Sequence, residues 1–275
     1  MAVCAFVVAF SSCTKEGQYL PKEKISQIVY TKSYTEAITG ITVSSTEKEE
    51  WNWGSDLLNF IDYYNSTGTR YNTTLFRYDD QKRIVEIQDG DGSAKFDYDD
   101  NQIDEIELYD QFGHETGKIE FEHKGGKVVA INVKNYDFAQ KGFNPLRFIF
   151  PESLAEMMMK NASKSSDTRY TLTWKGNNVK TVEAIGSTRS SANYTYDNKT
   201  NPFLGLYNVL VSQRGSLMFS TNNVVQMVYK DDNTNLTEDY SYSYDGNYPT
   251  RVSWVSTASG LIGNYKENHV KEYRY

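Results

Sequence analysis

Two stretches between Phe76 and Leu108 are written in the same way: "FRYDDQKRIVEI" is followed about one hairpin later by "FDYDDNQIDEIEL". Each opens with a hydrophobic residue, a spacer and an aromatic (Phe76 and Tyr78, then Phe96 and Tyr98). Each then passes through an Asp-rich turn into two aliphatics three apart, Ile84 and Ile87, then Ile103 and Ile106. Side chains alternate faces along a strand, so the two leading residues point to one side and bury together. Asp, Asn and Gly tolerate the backbone angles that tight hairpin turns need. The aliphatics, being three apart, would fall on opposite faces of a regular strand. Either a bulge re-phases the strand or both faces of the sheet are partly covered.

The pattern recurs down the chain. A third copy is Phe121, His123, Val128 and Ile131, with His123 in the aromatic place, and a fourth is Leu172, Trp174, Val179 and Val182. A fifth, Tyr194 and Tyr196, leads through the longer "DNKTNP" to Phe203. The sixth is Leu217, Phe219, Val224 and Met227, and the seventh is Tyr242 and Tyr244 with Val252 and Val255. "KISQIVY", with Ile25 and Ile28 three apart before Tyr30, reads as half a unit. Composition agrees with strands, since 22 tyrosines accompany abundant Thr and Val. The expectation is therefore an all-β fold, a large antiparallel meander of repeated hairpins curled into a half-open or barrel-like sheet of roughly 14 to 16 strands.

Two segments depart from the pattern. "WNWGSDLLNFIDYY" places Trp51 and Trp53 one residue apart, with their rings on one face if the segment is a strand. Leu57 to Tyr64 fits a short helix or a strand equally well. Between Lys134 and Asp167, Ser153 and Glu156 form a capping box ahead of Leu154, Met157 and Met158, which predicts one short helix.

The first residues read as a targeting segment. Ala2 to Phe10 is an apolar run too short to cross a bilayer but of the right length for a secretion signal, although no Lys or Arg precedes it. The alternative is a buried first strand. "FSSC", ending at Cys13, resembles the lipobox of bacterial lipoproteins, and the polar "TKEGQYLPKEK" follows it. The organisation expected is a signal peptide over 1–12, a lipid anchor on Cys13 with a tether over 13–24, and a single β-hairpin-repeat domain over 25–275. Acyl chains hold such a domain at a membrane by about 0.8 kcal/mol per buried methylene.

The chain as a whole resembles secreted Bacteroidota lipoproteins with a large porin-like antiparallel sheet, and more distantly the YD-repeat class. The residues carrying the resemblance are "FSSC", "KISQIVY", the tandem "RYDDQKRI" and "DYDDNQI", and "YTYDNKTNPFLGL" with its Asn201, Pro202 and Phe203. It implies a fold and an outer-membrane location, periplasmic or surface-exposed, and transfers no catalytic residue.

Several function classes are disfavoured. With 36 acidic against 29 basic residues the net charge is −7, which argues against nucleic acid as a partner. Both cysteines, Cys4 and Cys13, lie at the start, and the histidines His114, His123 and His269 share no ligand spacing, so neither metal nor cofactor is expected. "DGDGS" at Asp89 lacks the later ligands of a calcium loop and reads as a turn. The paired carboxylates at Asp79, Asp99 and Asp231 also fall at turn tips. No nucleophile elbow or P-loop occurs, so no catalytic residue is assigned and no enzyme is expected. A membrane-embedded barrel is disfavoured by charges throughout the strands and a mean hydropathy of −0.64. What is left is a non-catalytic binding module for a glycan or protein ligand, with Trp51 and Trp53 as candidate binding residues. The alternative is a structural or assembly component of an envelope complex.

Overall fold

The computed structural model describes residues 16–35, 41–134, 167–185, 190–207, 218–232, 234–260 and 265–275. The predicted signal, Cys13 and the predicted helix at Ser153 lie outside them. The described residues form sixteen strands and no helix. These are β1 (Gln27–Thr35), β2 (Thr42–Trp53), β3 (Leu58–Tyr64), β4 (Arg70–Tyr78), β5 (Ile84–Gln88), β6 (Gly92–Asp99), β7 (Gln102–Asp110) and β8 (Glu115–His123). They continue as β9 (Val128–Lys134), β10 (Thr168–Lys175), β11 (Asn178–Ile185), β12 (Ser190–Thr200), β13 (Asn222–Lys230), β14 (Thr234–Asp245), β15 (Tyr248–Gly260) and β16 (Tyr265–Arg274). Each pairs antiparallel with its neighbour in sequence, and β1 pairs with β16, from Gln27 opposite Arg274 to Ser33 opposite Asn268. The sheet is thus a closed barrel rather than half-open.

The spacing of three is explained by bulges at one rim. Tyr78 sits opposite Ile84 while Arg77 sits opposite Glu86, leaving Val85 as the extra residue. The same shift leaves Asp104 unpaired after Tyr98, Val129 after His123, Lys180 after Trp174 and Val225 after Tyr196. An inserted residue resets the alternation, so both aliphatics of a unit face inward. Ile84, Ile87, Ile103, Ile106, Val179 and Val182 are all fully buried.

Three parts of the repeat read differently in the structure. Trp53 lies opposite Leu58 with Asn59 as the extra residue, so "WNWGSDLLNFI" is a regular unit and Leu58 to Tyr64 is a strand. The fifth and sixth copies are halves of one unit, because Tyr196 lies opposite Val224 across a long insertion that holds Phe203 and Phe219. The seventh pairs Tyr244 with Pro249 and Tyr242 with Val252, leaving Val255 out. The half unit at Ile25 and Ile28 finds its missing half at the other end of the chain, where Tyr273 lies opposite Ile28. Two strands per unit therefore account for all sixteen.

The aromatic place has its own task. A bulge interrupts the ladder and leaves backbone groups there without a cross-strand partner. Tyr78 donates its hydroxyl to the Leu58 carbonyl at 2.8 Å, Tyr98 to that of Ile84 at 2.5 Å, and Tyr196 to that of Val179 at 2.6 Å. The indole N–H of Trp53 reaches the Ile25 carbonyl at 2.7 Å, and that of Trp174 the Val128 carbonyl at 2.7 Å. Tyr275 serves Pro249 at 3.0 Å, and in the seventh unit the leading Tyr242, not Tyr244 in the aromatic place, serves Val224 at 3.0 Å. In each case the acceptor is the first aliphatic, or Pro249, of the preceding unit. Burial pushes the Tyr78, Tyr98 and Tyr196 hydroxyls above the usual tyrosine range, which keeps them donors.

The barrel is mainly apolar inside and charged outside, with one buried polar cluster around Glu238, Ser256, His269 and Lys271. Inward positions such as Phe96, Ile106, Ile119 and Val133 are buried and lie opposite one another across four strands. Outward positions carry ion pairs, including Arg77 with Glu86 at 2.7 Å, Lys118 with Glu105 at 2.8 Å and Lys134 with Glu120 at 2.6 Å. On a lipid-facing wall each Lys or Arg at mid-depth would cost about 2–4 kcal/mol.

Candidate functional site

The bulged rim is sealed by two segments. Residues 16–24, expected to be a tether, are built into the rim instead. Glu16 donates its backbone N–H to the Asn101 carbonyl at 3.1 Å, while its carboxylate takes the Ile103 N–H and the His123 ring, each at 3.0 Å. This explains a histidine in the aromatic place: His123 engages Glu16, and Glu16 in turn holds Ile103. Gly17 accepts the Ile84 N–H at 2.9 Å with a φ of 77°, and an added Cβ would lie 2.0 Å from the Tyr98 hydroxyl. Only glycine fits there. Tyr19 is fully buried, packs on Trp51 and Trp53, and donates to the Pro202 carbonyl at 2.9 Å.

The second segment is the insertion between β12 and β13. Asn201 holds it, with its side-chain amide on the Ser220 carbonyl at 2.8 Å and its side-chain oxygen accepting the Phe203 N–H at 3.1 Å. Phe203 then inserts against Trp51 and Tyr273 with no exposed surface. The "NPF" string is therefore a plug for the rim.

Between these segments and the turns after β8 and β10 lies a cavity of about 370 Å³, within the range of small-ligand sites. Its walls include Trp174, Tyr207, Met218 and Phe219, with Leu20 and Leu204 also lining it. The indole N–H bond to Val128 fixes the Trp174 ring, and Tyr207 meets Phe219 edge-on at 5.3 Å. Most polar side chains at the margin already have partners. Asn201 and Glu16 are bound as described, Thr221 donates to Asn178 at 3.1 Å, and the Gln18 amide reaches the Gln81 carbonyl at 2.7 Å. The groove therefore offers shape and aromatic surface more than hydrogen bonds.

A second concentration of chemistry lies inside the wall where the barrel closes. Ser256 and His269 are buried, and the serine Oγ is 3.1 Å from His269 Nε2 and 2.5 Å from Glu238. The other imidazole nitrogen meets the Tyr30 hydroxyl at 2.6 Å, and Tyr240 also donates to Glu238. These are the residue types of a hydrolytic triad with different wiring. In a triad the carboxylate orients the imidazole, whereas here Glu238 engages the serine. The Ser256 hydroxyl donates to Glu238, and a second carboxylate, Glu267, approaches His269 on the same Nε2 side at 3.6 Å, so no carboxylate sits behind the imidazole on Nδ1. Trp254 stacks on the imidazole at 4.8 Å, and Lys32 pairs with Glu267 at 2.8 Å alongside. Both the Tyr30–His269 and Lys32–Glu267 contacts bridge β1 and β16, so the network clasps the seam.

Of the tryptophans singled out from the sequence, neither lines the groove. Trp51 is buried, with its N–H on Glu49 at 3.0 Å, and Trp53 is part of the donor ring. Neither presents an open ring face beside a concave surface. The Asp-rich strings are turn chemistry: Asp79 accepts the N–H groups of Gln81 and Arg83, each at 2.9 Å, and Asp89 those of Asp91 and Gly92 at 2.8 and 3.1 Å. Among the described residues no three His, Cys, Asp or Glu side chains converge as metal ligands.

No family model and no curated protein matches this chain. Among solved structures it is similar to a porin-like protein from Bacteroides uniformis, with 12% identity over 94% of this chain and 99% of that one, at a TM-score of 0.54. A porin-like protein from Bacteroides vulgatus covers 91% and 98% at 10% identity, with a TM-score of 0.32 that adds no argument. The first likeness is one of fold alone, an antiparallel β-barrel, which in this chain has a mainly apolar interior.

Proposed function

We propose that the chain is a cell-envelope lipoprotein anchored through Cys13, whose barrel is a non-catalytic module that binds an apolar segment of an envelope protein in the rim groove. The groove is the observation that carries this reading. Trp174 is held in place by its bond to the backbone and Tyr207 by its edge contact with Phe219, and pre-ordered aromatic surface is what binding hot spots use. A glycan is the weaker ligand class, because its hydroxyls need free donors and acceptors and those at the margin are largely spent. Catalysis is not proposed, since Tyr30 rather than a carboxylate meets the far nitrogen of His269 and Ser256 lies fully buried in the seam.

A photo-crosslinker in place of Leu204, at the mouth of the groove, tests the reading in whole cells. A discrete envelope-protein adduct is expected that disappears in Trp174→Ala, read at a temperature where that less stable variant is still folded by circular dichroism. An adduct indifferent to Trp174→Ala, or glycan binding that depends on Trp174, would overturn it. Labelled palmitate incorporated into wild type and lost in Cys13→Ala tests the anchor, and unlabelled wild type would refute it.

A further inference from the structure

We infer that the sealed rim of the barrel is a lipid-facing surface, so that the molecule stands on the leaflet with its axis upright and its opposite rim turned away. The inference deepens the reading of Cys13 as the anchored residue and rests on it. Covalent reach carries the argument. Three residues span at most about 10 Å when fully extended. Glu16, three positions after Cys13, is held to the rim at both its backbone and its carboxylate, on Asn101, Ile103 and His123. Gly17, Gln18 and Tyr19 are bonded to the same rim in succession. The reach of the chain from Cys13 to this rim is therefore at most about 10 Å. A lipid on Cys13 therefore brings this rim, and not the other, to within about one lipid headgroup layer of the acyl chains.

The rim is suited to that contact. Leu20 and Leu204 beside the groove, and Tyr275 at the chain's end, are each about two-fifths exposed. A tyrosine is well matched to the interfacial zone of a bilayer. The opposite rim also exposes apolar side chains, with Phe112 at 76% and Ile41 at 60%, so exposure alone does not choose between the two ends. The reach from Cys13 does. The orientation also limits the partner of the groove to a protein that presents its apolar segment at the membrane surface.

The test places a dye on p-azidophenylalanine at position 80, in the sealed-rim turn, or at position 66, in an opposite-rim turn. Asp80 and Ser66 are both exposed, and β4 separates the two turns by roughly 20–30 Å. The acylated full chain is reconstituted into phosphatidylcholine vesicles that carry nitroxide on the headgroups. Quenching at least threefold stronger at 80 than at 66 is expected. Equal quenching, or stronger quenching at 66, overturns the inference. The mass of the mature N-terminus reports acylation separately. If Cys13 carries no lipid in the native host, the anchor reading fails, and the orientation is read on protein whose Cys13 is coupled to a maleimide lipid, with the same outcomes deciding.

Discussion

Replacing Tyr78 by Phe removes one oxygen and nothing else from the rim. The hydroxyl donates to the Leu58 carbonyl at 2.8 Å, and the ring is largely enclosed by the core. A typical hydrogen bond contributes about 0.5–1.5 kcal/mol net, but removing one partner leaves the other buried and unsatisfied at a cost of about 1–3 kcal/mol. The packing of the ring is preserved, so no cavity cost adds to this. For a chain of this size 1 kcal/mol shifts the melting temperature by about 2–4 °C, which places the expected loss at about 2–12 °C. Tyr196→Phe, on a distant hairpin, removes the bond to Val179 and also the partner of the Ser220 hydroxyl at 3.0 Å, so it belongs at the upper end. The two changes share no partner and their costs should add to within about 0.5 kcal/mol. Tyr71→Phe, at an exposed position, is the reference. Urea unfolding of the four proteins reads the differences directly. If Tyr78→Phe and Tyr196→Phe both lie within about 0.5 kcal/mol of Tyr71→Phe, the aromatic place is packing alone and the donor ring has no energetic meaning.

Gly17→Ala puts a methyl group against the Tyr98 hydroxyl at a backbone angle that suits glycine, and should cost about 1–3 kcal/mol; an unchanged urea midpoint would show that residues 16–24 are not part of the folded rim. The buried tyrosines have hydroxyls raised above the usual value of about 10, so the stability they contribute is whole below that pH and lost as pH rises further. Melting temperature should hold to about pH 9 and then fall, with phenolate absorbance rising in step with unfolding, and phenolate formed by intact barrel would contradict this. The hydrogen bonds from Arg169 pull the Glu122 carboxyl down to about 2, and carbon NMR should show it returning towards the ordinary value of about 4.3 in Arg169→Gln. The seam network predicts that His269→Leu, which strips partners from Tyr30 and Ser256, destabilises by about 2–4 kcal/mol, whereas His269→Gln recovers part of that; equal losses in a urea titration would argue that only volume matters.

Much of the fold can be read from residue order because each hairpin announces itself locally. Phe76, Tyr78, Ile84 and Ile87 lie within a dozen residues, and their spacing already requires a bulge or two covered faces. What locality hides is long-range pairing. Tyr196 and Val224 are partners across an insertion, so the two halves read as separate copies. Tyr273 and Ile28 are partners across the whole chain, so the sequence leaves a half-open and a barrel-like sheet undecided. Trp51 and Trp53 stand out by composition, yet Leu58 and Ile61 complete their unit at the standard spacing, and counting from Trp53 recovers it. The groove was the least legible feature. Trp174 belongs to a regular unit, while Tyr207 and Phe219 come from the insertion, and only the seating of residues 16–22 beside them makes a cavity. The seam network did leave a trace, since Glu267, His269 and Lys271 alternate on the face that ends in Tyr273.

The split unit at the two ends of the chain sets the order of assembly. Until Tyr273 and Arg274 have emerged, β1 has its backbone donors and acceptors open on one side, and so does every strand that is momentarily last. Such edges recruit foreign strands. Contacts between the first and last strands also close the longest possible loop, which makes them late in folding. A chain made from its N-terminus must therefore wait almost complete before the ring can shut. The charged residues on the two waiting edges, Lys32 on β1 and Lys266, Lys271 and Glu272 on β16, suit that interval, since charge on an open edge discourages pairing between copies. Loss of the whole of β16 would leave the barrel as a sheet with two exposed margins.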